Sequence, residues 1–332
     1  MTTYDLYAIG NALVDSEYEV TDELLKTAGV EKRHMTLIDA PRRAELLHHM
    51  QGLHARKTGG GSAGNTVVAL AQLGGKAFYS CRVAHDDLGD FYREDLVAHG
   101  VSTNLTHTRP APGQTGSCIV MVTPDAERSM STFLGATAEL DPTALHPHDI
   151  ARSKVYYMEG YLAASPTGLA AALQGREIAR KAGVALAVTL SDMSMINFCR
   201  PVVEAMVGDG VDYLFCNEEE AQVWFGETDL DAVCKKIAML ARVVCLTRSA
   251  KGCLVIEGER ITTVAATPVK AIDSNGAGDM FAGAFLYAVT HGHSTAKAAA
   301  LGNLAAAQVV SQYGCRLSQK SVEALVQQFT KM

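Results

Sequence analysis

The sequence predicts an α/β protein in which helices flank a central, mostly parallel sheet and a small β-sheet lid is attached. Two observations support this fold class. From residue 136 onward, short apolar runs alternate with segments of helical periodicity, as in parallel sheets built from βα units. Between residues 104 and 134, alternating Thr, Val and Ile with Pro and Gly turns predict two or three short antiparallel strands. A chain of 332 residues has room for a large α/β unit and a smaller one.

The first part of the chain contributes strands to both units. The apolar run 6–10 ends at a glycine and predicts a buried first strand, whereas the alternating residues 13–20 predict a strand with one exposed face. The predicted large domain comprises residues 1–11, 41–105 and 136–332. The predicted lid comprises residues 12–40 and 106–135.

The other elements follow from periodicity and turn residues. Apolar runs predict further strands at residues 35–38, 76–83, 154–158, 185–190, 213–216 and 243–246, and a hairpin at 253–257 and 260–264. Helical spacing predicts helices at residues 22–28, 41–50, 66–73, 87–99, 167–182, 196–207, 218–225, 230–241, 279–290, 295–312 and 318–330. Pro41 suits the first turn of the helix predicted at 41–50, and Gly100 closes the helix predicted at 87–99.

Composition excludes several classes of protein. A formal net charge of −7 argues against general nucleic-acid binding, which needs a basic surface. The sequence contains no apolar stretch of about 18 residues and no signal-peptide pattern at its start. Its eight cysteines are scattered without a Cys-x-x-Cys pair, and its histidines lack metal-ligand spacing, so we expect reduced thiols, no structural zinc and a cytoplasmic location.

The stretch Asp273-Ser274-Asn275-Gly276-Ala277-Gly278-Asp279 predicts an anion site at the start of a helix. Glycines let the backbone turn sharply, and the first N–H groups of the following helix attract phosphate. A carboxylate held there, Asp279, has the position of a base that takes the proton from an attacking hydroxyl. The alternative is an ordinary loop with Asp279 as a helix cap.

A second glycine-rich stretch, Gly59-x-Gly61-x-x-Gly64, satisfies the dinucleotide-binding pattern. The residues before it, 53–57, do not read as a buried strand, which that pattern requires. The stretch is therefore better explained as a helix start that binds a polyol through backbone N–H groups and Asn65. An oxidoreductase with a dinucleotide cofactor remains an alternative.

Two acidic positions at strand ends have structural and functional explanations. Asp15 follows the first core strand, where open α/β sheets bind ligands, but it also suits a turn. Asn217-Glu218-Glu219-Glu220 opens a helix after an apolar strand, and helix capping explains it. An amide and a carboxylate three residues apart would also order the water shell of Mg²⁺.

Together these motifs resemble the ribokinase-type (PfkB) carbohydrate kinase family over almost the whole chain. Gly60-Gly61-x-x-x-Asn65 and the stretch from Asp273 to Asp279 match the two family signatures, although Ser274 replaces the usual threonine. Asn217-x-x-Glu220 matches its magnesium and phosphate motif. The turn from Thr247 to Gly252 resembles its nucleotide-binding turn, with Ser249 in place of a glycine.

The resemblance implies a ribokinase-like fold with a lid, and an ATP- and Mg²⁺-dependent kinase. Asp279 would be the base, and the N–H groups of Gly276, Ala277 and Gly278 would stabilise the transferring phosphoryl group. The implied acceptor-binding residues are Asn11, Asp15, Gly60, Gly61 and Asn65. The implied Mg²⁺ and nucleotide residues are Asn217, Glu220, Thr247, Ser249 and Gly252. A lid would exclude competing water.

Other implied roles each have an alternative. Arg128 would reach the phosphates after lid closure or remain a solvated surface residue. Asn303 would face the ATP base or serve helix packing, and Phe133 would stack on a nucleoside base or belong to the lid core. Many relatives need a monovalent cation, which the resemblance places, as K⁺, near Asp273, Gly314 and Ser318.

The opening Gly10-Asn11-x-x-x-Asp15, the Asn275 position and Tyr313-Gly314-Cys315 look most like the adenosine kinase branch of that family. We therefore expect a purine nucleoside, adenosine first, as the acceptor of phosphate at its 5′-hydroxyl. A free-sugar kinase for ribose, fructose or 2-keto-3-deoxygluconate is the alternative. A non-catalytic nucleotide- or sugar-binding protein is a further one. A monomer or a homodimer would fit.

Overall fold

The computed structural model describes residues 3–107, 111–125 and 127–331. In chain order its strands are β1 (Tyr4–Ile9), β2 (Leu13–Glu19), β3 (Met35–Leu37), β4 (Arg56–Gly60), β5 (Ala77–Ser80), β6 (Ser102–Thr103), β7 (Ser117–Val122), β8 (Arg128–Phe133), β9 (Ser153–Glu159), β10 (Ala185–Thr189), β11 (Val211–Asn217), β12 (Ala241–Thr247), β13 (Cys253–Glu257) and β14 (Arg260–Val264). The helices are α1 (Asp22–Thr27), α2 (Ala40–His49), α3 (Ser62–Gln72), α4 (Asp87–Ala98), α5 (Pro147–Ile150), α6 (Pro166–Lys181), α7 (Met193–Val207), α8 (Glu218–Phe225), α9 (Leu230–Ile237), α10 (Ala277–Thr290), α11 (Thr295–Val310) and α12 (Gln319–Thr330).

The larger sheet has nine strands in the order β14-β13-β12-β11-β10-β9-β1-β5-β6. Its pairs from β12 to β6 are parallel, and β13 and β14 close one edge as an antiparallel hairpin. Two separate apolar cores cover its faces, one built on α3, α10 and α11 and the other on α6, α7 and α8. The predicted fold class, a mostly parallel sheet between helices with a second small sheet, is confirmed.

The smaller sheet has five strands in the order β3-β8-β7-β2-β4. One of its faces is covered by α1 and α2, where Tyr18, Leu25 and Leu46 form a small core of their own. The predicted division into a large domain and a lid stays a prediction, because the composition of the two sheets does not by itself define the residue bounds of domains. β4 lies in the range predicted for the large domain, yet it pairs with β2 of the small sheet.

The structure corrects some predicted element bounds. β4 was not predicted, because its sequence, Arg-Lys-Thr-Gly-Gly, has little strand propensity and depends on pairing with β2. It is not a buried strand of a parallel sheet, so the dinucleotide pattern lacks its required context here as well. α3 begins at Ser62, four residues before the predicted start, and α9 ends at Ile237 because β12 already begins at Ala241.

No helix within the described ranges is long and apolar enough to span a membrane.

Candidate active site

The start of α10 is shaped by two glycines with different requirements. Gly276 adopts the left-handed region at φ 75°, and a Cβ there would lie 2.7 Å from Cys315 Cβ. Gly276 also precedes the first turn of α10 without a side-chain cap. Beside Gly278, a Cβ would meet open space. The helix therefore presents its N-terminus to an open volume, and this arrangement suits an anion.

Asp279 lies in the first turn of α10 and accepts two hydrogen bonds from α3. Ser62 Oγ donates to its Oδ1 at 2.7 Å, and Asn65 Nδ2 donates to its Oδ2 at 3.0 Å. Burial raises the pKa of Asp279 to about 6, while both hydrogen bonds act in the opposite direction. The carboxylate is thus oriented and can accept a proton near neutral pH.

Close packing of α10 against α3 explains why these groups meet. A Cβ at Gly283 would lie 2.5 Å from the Thr66 carbonyl oxygen and 2.6 Å from Ala69 Cβ. Only a glycine allows the two helices to approach so closely. Since Gly283 is one turn beyond Asp279, this contact carries the carboxylate to the first turn of α3.

Glu159, at the end of β9, is a site residue that the sequence analysis missed. Its side chain accepts hydrogen bonds from the backbone N–H groups of Asn11 and Ala63, both at 2.7 Å. It is completely buried, and burial raises its pKa to about 7. Glu159 thereby fixes the end of β1 to the start of α3. A carboxylate directly after an apolar strand is the signal, shared with Asp15, that could have identified it.

Asp15 lies on the face of β2 that is turned toward this site. A Cβ at Gly60 would be 2.7 Å from each of its carboxylate oxygens, so a side chain at position 60 would displace the carboxylate. Burial raises the pKa of Asp15 to about 7, Arg316 and Arg128 lower it, and Asp279 raises it further. Asp15 and Asp279 are therefore electrostatic neighbours, although Asp15 lies on β2 and Asp279 on α10.

The predicted residues Gly61 and Asn11 lie next to each other. Gly61 has φ +87°, and a Cβ there would approach the Asn11 carbonyl oxygen to 2.1 Å. The same carbonyl accepts a hydrogen bond from Tyr79 Oη at 2.9 Å. The backbone of Asn11 is therefore structural, and the Asn65 amide is the group that points at Asp279.

The structure does not bring the Phe133 ring to the Asp15 face. Across the small sheet Asp15 pairs with Cys118 and Cys118 with Thr132, so these three share one face. Phe133 is turned to the other face, where the Arg43 guanidinium lies 5.5 Å from its ring centroid. A cavity of about 590 Å³ at the end of β8 is nevertheless lined by both Thr132 and Phe133. Neither Asp15 nor Asp279 lines this cavity.

Arg128 connects the small sheet to the loop before α10. Its guanidinium bonds Glu17 on β2 at 2.7 Å and Asp273 at 3.1 Å, and it lies 5.5 Å from the Tyr313 ring centroid. Its side chain is 13% exposed, so it is not the solvated surface residue of the alternative prediction. It reaches the candidate site from the lid side.

The residues predicted to hold a monovalent cation are engaged otherwise. The Asp273 carboxylate accepts hydrogen bonds from the backbone N–H groups of Asn275 and Gly314, both at 3.1 Å, and forms an ion pair with Arg128. Ser318 caps α12 and accepts a hydrogen bond from the Ser321 N–H at 3.2 Å. The Asp273 carboxylate therefore already accepts three donors in this structure, and the monovalent-cation site stays a prediction.

Asn217 and Glu220 form a complete capping box at the start of α8. Glu220 N–H donates to Asn217 Oδ1 at 2.8 Å, while the Asn217 N–H and amide donate to the Glu220 carboxylate at 3.1 and 2.6 Å. Burial raises the pKa of Glu220 to about 7. The helix-capping explanation is therefore confirmed for the observed contacts. Within residues 3–107, 111–125 and 127–331, no group of three or more His, Cys, Asp or Glu is arranged to hold a metal.

The predicted nucleotide residues lie along the other half of the large sheet. Thr247 ends β12 and pairs with Asn217, the last residue of β11. Ser249 and Gly252 form the turn into β13 at φ 49° and 86°, and a Cβ at Gly252 would be 2.1 Å from the Val264 carbonyl oxygen. Asn303 donates its amide to the carbonyl oxygens of Val264 and Ala265, both at 3.0 Å. Asn303 thus packs α11 against this hairpin.

Comparisons with known proteins find similarity over most of the chain. The family model described as "pfkB family carbohydrate kinase" matches residues 34–321. The structure of adenosine kinase from Sinorhizobium meliloti is similar at 37% identity and TM-score 0.89, over 98% of this chain and 99% of that one. A probable sugar kinase from Rhizobium etli is similar at 37% identity and TM-score 0.90, over 99% of both chains. Among curated proteins, adenosine kinase of Schizophyllum commune is 26% identical over 98% of this chain and all of that protein. Ribokinase of Mus musculus is 30% identical over 69% of this chain and 70% of that protein.

Proposed function

The chain belongs to the pfkB family of carbohydrate kinases, and from that premise we propose that it transfers the γ-phosphate of ATP to a primary hydroxyl of a purine nucleoside, with adenosine favoured. As a member of this family it is a phosphotransferase that acts on an alcohol group. The observation that supports the catalytic proposal best is the orientation of Asp279 by Ser62 and Asn65 at the start of α10.

In the proposed reaction Asp279 takes the proton of the acceptor hydroxyl. The hydroxyl oxygen forms a bond to the γ-phosphorus while the bond from that phosphorus to the bridging oxygen breaks, and ADP leaves. A base with a pKa of about 6 is mostly ionised at neutral pH, yet it is basic enough to accept this proton.

The N-terminus of α10 would stabilise the charge on the transferring group. The N–H groups of Gly276, Ala277 and Gly278 are the proposed donors, and the open space beside Gly278 leaves room for phosphate oxygens. Arg128 would add a positive charge from the lid. For this it has to give up the Asp273 contact that it makes in this structure.

The residues of the α8 capping box fit Mg²⁺ only through water. Both oxygens of the Glu220 carboxylate already accept hydrogen bonds from Asn217, so this side chain suits a hydrated ion and not direct coordination. When bound, Mg²⁺ would neutralise charge on the phosphates. Asn217 and Glu220 would orient its waters. Thr247, Ser249, Gly252 and Asn303 would lie along the nucleotide.

Two observations favour a nucleoside over a free sugar. The cavity of about 590 Å³ at the end of β8 is lined mostly by apolar groups, among them Leu37, Leu134 and Ala136, and would offer a place for a flat base. The Sinorhizobium meliloti structure is also an adenosine kinase. Asp15, Gly60, Gly61 and Asn65 would bind the ribose hydroxyls.

The free-sugar alternative is supported by the similarity to mouse ribokinase and to the probable sugar kinase from Rhizobium etli. ATP turnover against adenosine, inosine, guanosine, ribose, fructose and 2-keto-3-deoxygluconate, with Mg²⁺ present, separates the two. Preference for a nucleoside supports the proposal, and preference for a sugar replaces the acceptor while keeping the chemistry. ATP binding without transfer to any acceptor would favour the non-catalytic binder.

The cellular location is part of the same proposal. All eight cysteines lie in the described residues as free thiols, and seven of them are buried. Free thiols are stable in a reducing compartment, which supports the cytoplasm.

A further inference from the structure

Arg316 is a buried arginine behind the candidate site, in the loop between α11 and α12. Its side chain is 8% exposed and forms an ion pair with Asp95 on α4. The guanidinium lies against Gly59, where a Cβ would be 2.7 and 2.8 Å from its two terminal nitrogens. The ion pair and this close contact hold the guanidinium in place.

Another donor of this guanidinium, Nε, faces Asn65. Arg316 Nε donates to Asn65 Oδ1 at 3.4 Å, and Asn65 Nδ2 donates to Asp279 Oδ2 at 3.0 Å. A guanidinium has donors and no acceptor, so it favours the oxygen end of the amide toward itself. The NH₂ end is then directed at Asp279.

We propose that Arg316 is a positioning residue for phosphotransfer, which holds the Asn65 amide with its NH₂ group toward Asp279 in both protonation states of that carboxyl. The inference rests on the proposed role of Asp279 as the base. When Asp279 is ionised, its carboxylate only accepts hydrogen bonds and therefore already prefers the NH₂ group of Asn65. A protonated carboxyl can instead donate its O–H to the amide oxygen, if the amide turns over. Because Arg316 occupies that oxygen, the amide stays a donor and favours the ionised, basic form of Asp279.

Loss of Arg316 therefore has a specific consequence. When the amide is free to turn over, it stabilises the protonated form of Asp279 and raises the pKa of that carboxyl. As the pH falls, Asp279 then becomes protonated, and stops acting as a base, at a higher pH than in the wild type. One hydrogen bond of this kind corresponds to about 0.5 to 1 pH unit. The acid limb of the pH dependence of kcat/KM should move upward by that amount.

Other titratable groups interact with Asp279, so the test has to separate them from Asn65. They come from β2, β9, the turn after β9 and the loop that precedes Arg316, and they are Asp15, Tyr157, Glu159, Tyr161 and Cys315. Asp15 and Glu159 have pKa values of about 7 and titrate in the same range. The positive charge of Arg316 also acts on Asp15 directly.

A double-mutant cycle between Arg316→Met and Asn65→Ala isolates the proposed effect. We expect Arg316→Met to move the acid limb upward by about 0.5 to 1 pH unit when Asn65 is present, and to cause no further shift in the Asn65→Ala background. An equal shift in both backgrounds would mean that Arg316 acts through its charge, and it would overturn the inference. No shift in either background would do the same.

Two additions keep the test decisive. Because Arg316→Met removes the arginine partner of Asp95, the cycle is repeated with Asp95→Asn in every variant, and thermal unfolding confirms that each one folds. The pKa of Asp279 is also followed by carboxyl ¹³C NMR, which needs no turnover. If the protein is an active kinase but the effect of Arg316→Met does not depend on Asn65, this inference is refuted and the proposed function is not. A protein without turnover refutes the proposed function, while the NMR titration still tests the role of Arg316.

Discussion

The carboxylate of Asp15 lies directly over Gly60, where a Cβ would be 2.7 Å from both of its oxygens. A real Cβ does not approach an oxygen so closely, so any side chain at position 60 displaces Asp15. This contact connects the glycine-rich start of α3 to the proposed acceptor site. It explains in physical terms why the sequence has a glycine there.

The first prediction is that Gly60→Ala weakens the acceptor and spares ATP. The displaced Asp15 would lose the hydrogen bonds that we propose it makes to the ribose, so we expect the KM for the acceptor to rise about tenfold or more. The Kd for ATP, measured by calorimetry, should stay near the wild-type value. In an Asp15→Ala background the new methyl group meets no carboxylate, and Gly60→Ala should add little. A full additional loss there would show that the methyl group acts elsewhere.

The second prediction concerns Glu220 and magnesium. Glu220→Gln keeps the size of the side chain but removes the charge that would orient a hydrated Mg²⁺, so the Mg²⁺ concentration for half-maximal turnover should rise several-fold. Because the pKa of Glu220 is about 7, the difference from wild type should grow between pH 6 and pH 8 as Glu220 ionises. An unchanged Mg²⁺ dependence at pH 8 would leave Glu220 with helix capping alone.

The third prediction is a pH dependence of stability. Burial raises the pKa of Asp15 and Glu159 to about 7, well above their usual values. The folded protein therefore binds protons between about pH 4 and pH 7 that the unfolded chain has released, and the free energy of unfolding should fall as pH rises through this range. Urea unfolding at pH 5, 6, 7 and 8 measures this. Glu159→Gln should show a shallower decrease, and stability that rises over the range would contradict these pKa shifts.

Local patterns were sufficient to predict most elements and the two chemical motifs. The capping box of Asn217 and Glu220 is a short-range pattern, and the structure forms it as predicted. The glycine turn before α10 could also be located, since the left-handed Gly276 and the helix after it are adjacent in sequence. Its anion-binding role stays a prediction.

The missed features depend on contacts between distant residues. Glu159 bonds the N–H groups of residues 148 and 96 positions away, and Arg316 reaches Asn65 across 251 positions. No local pattern encodes such partners. The face of Phe133 follows from the register of three strands, β2, β7 and β8, which the alternation of a single strand does not determine.

The most direct test of the account is the turnover of Asp279→Asn with ATP, Mg²⁺ and the best acceptor of the panel. Asparagine keeps the shape of the side chain but cannot take the hydroxyl proton, so kcat should fall by about two to four orders of magnitude. ATP binding should remain largely intact, because in the proposed mechanism Asp279 acts on the acceptor. A kcat close to that of the wild type would contradict the assignment of Asp279 as the base.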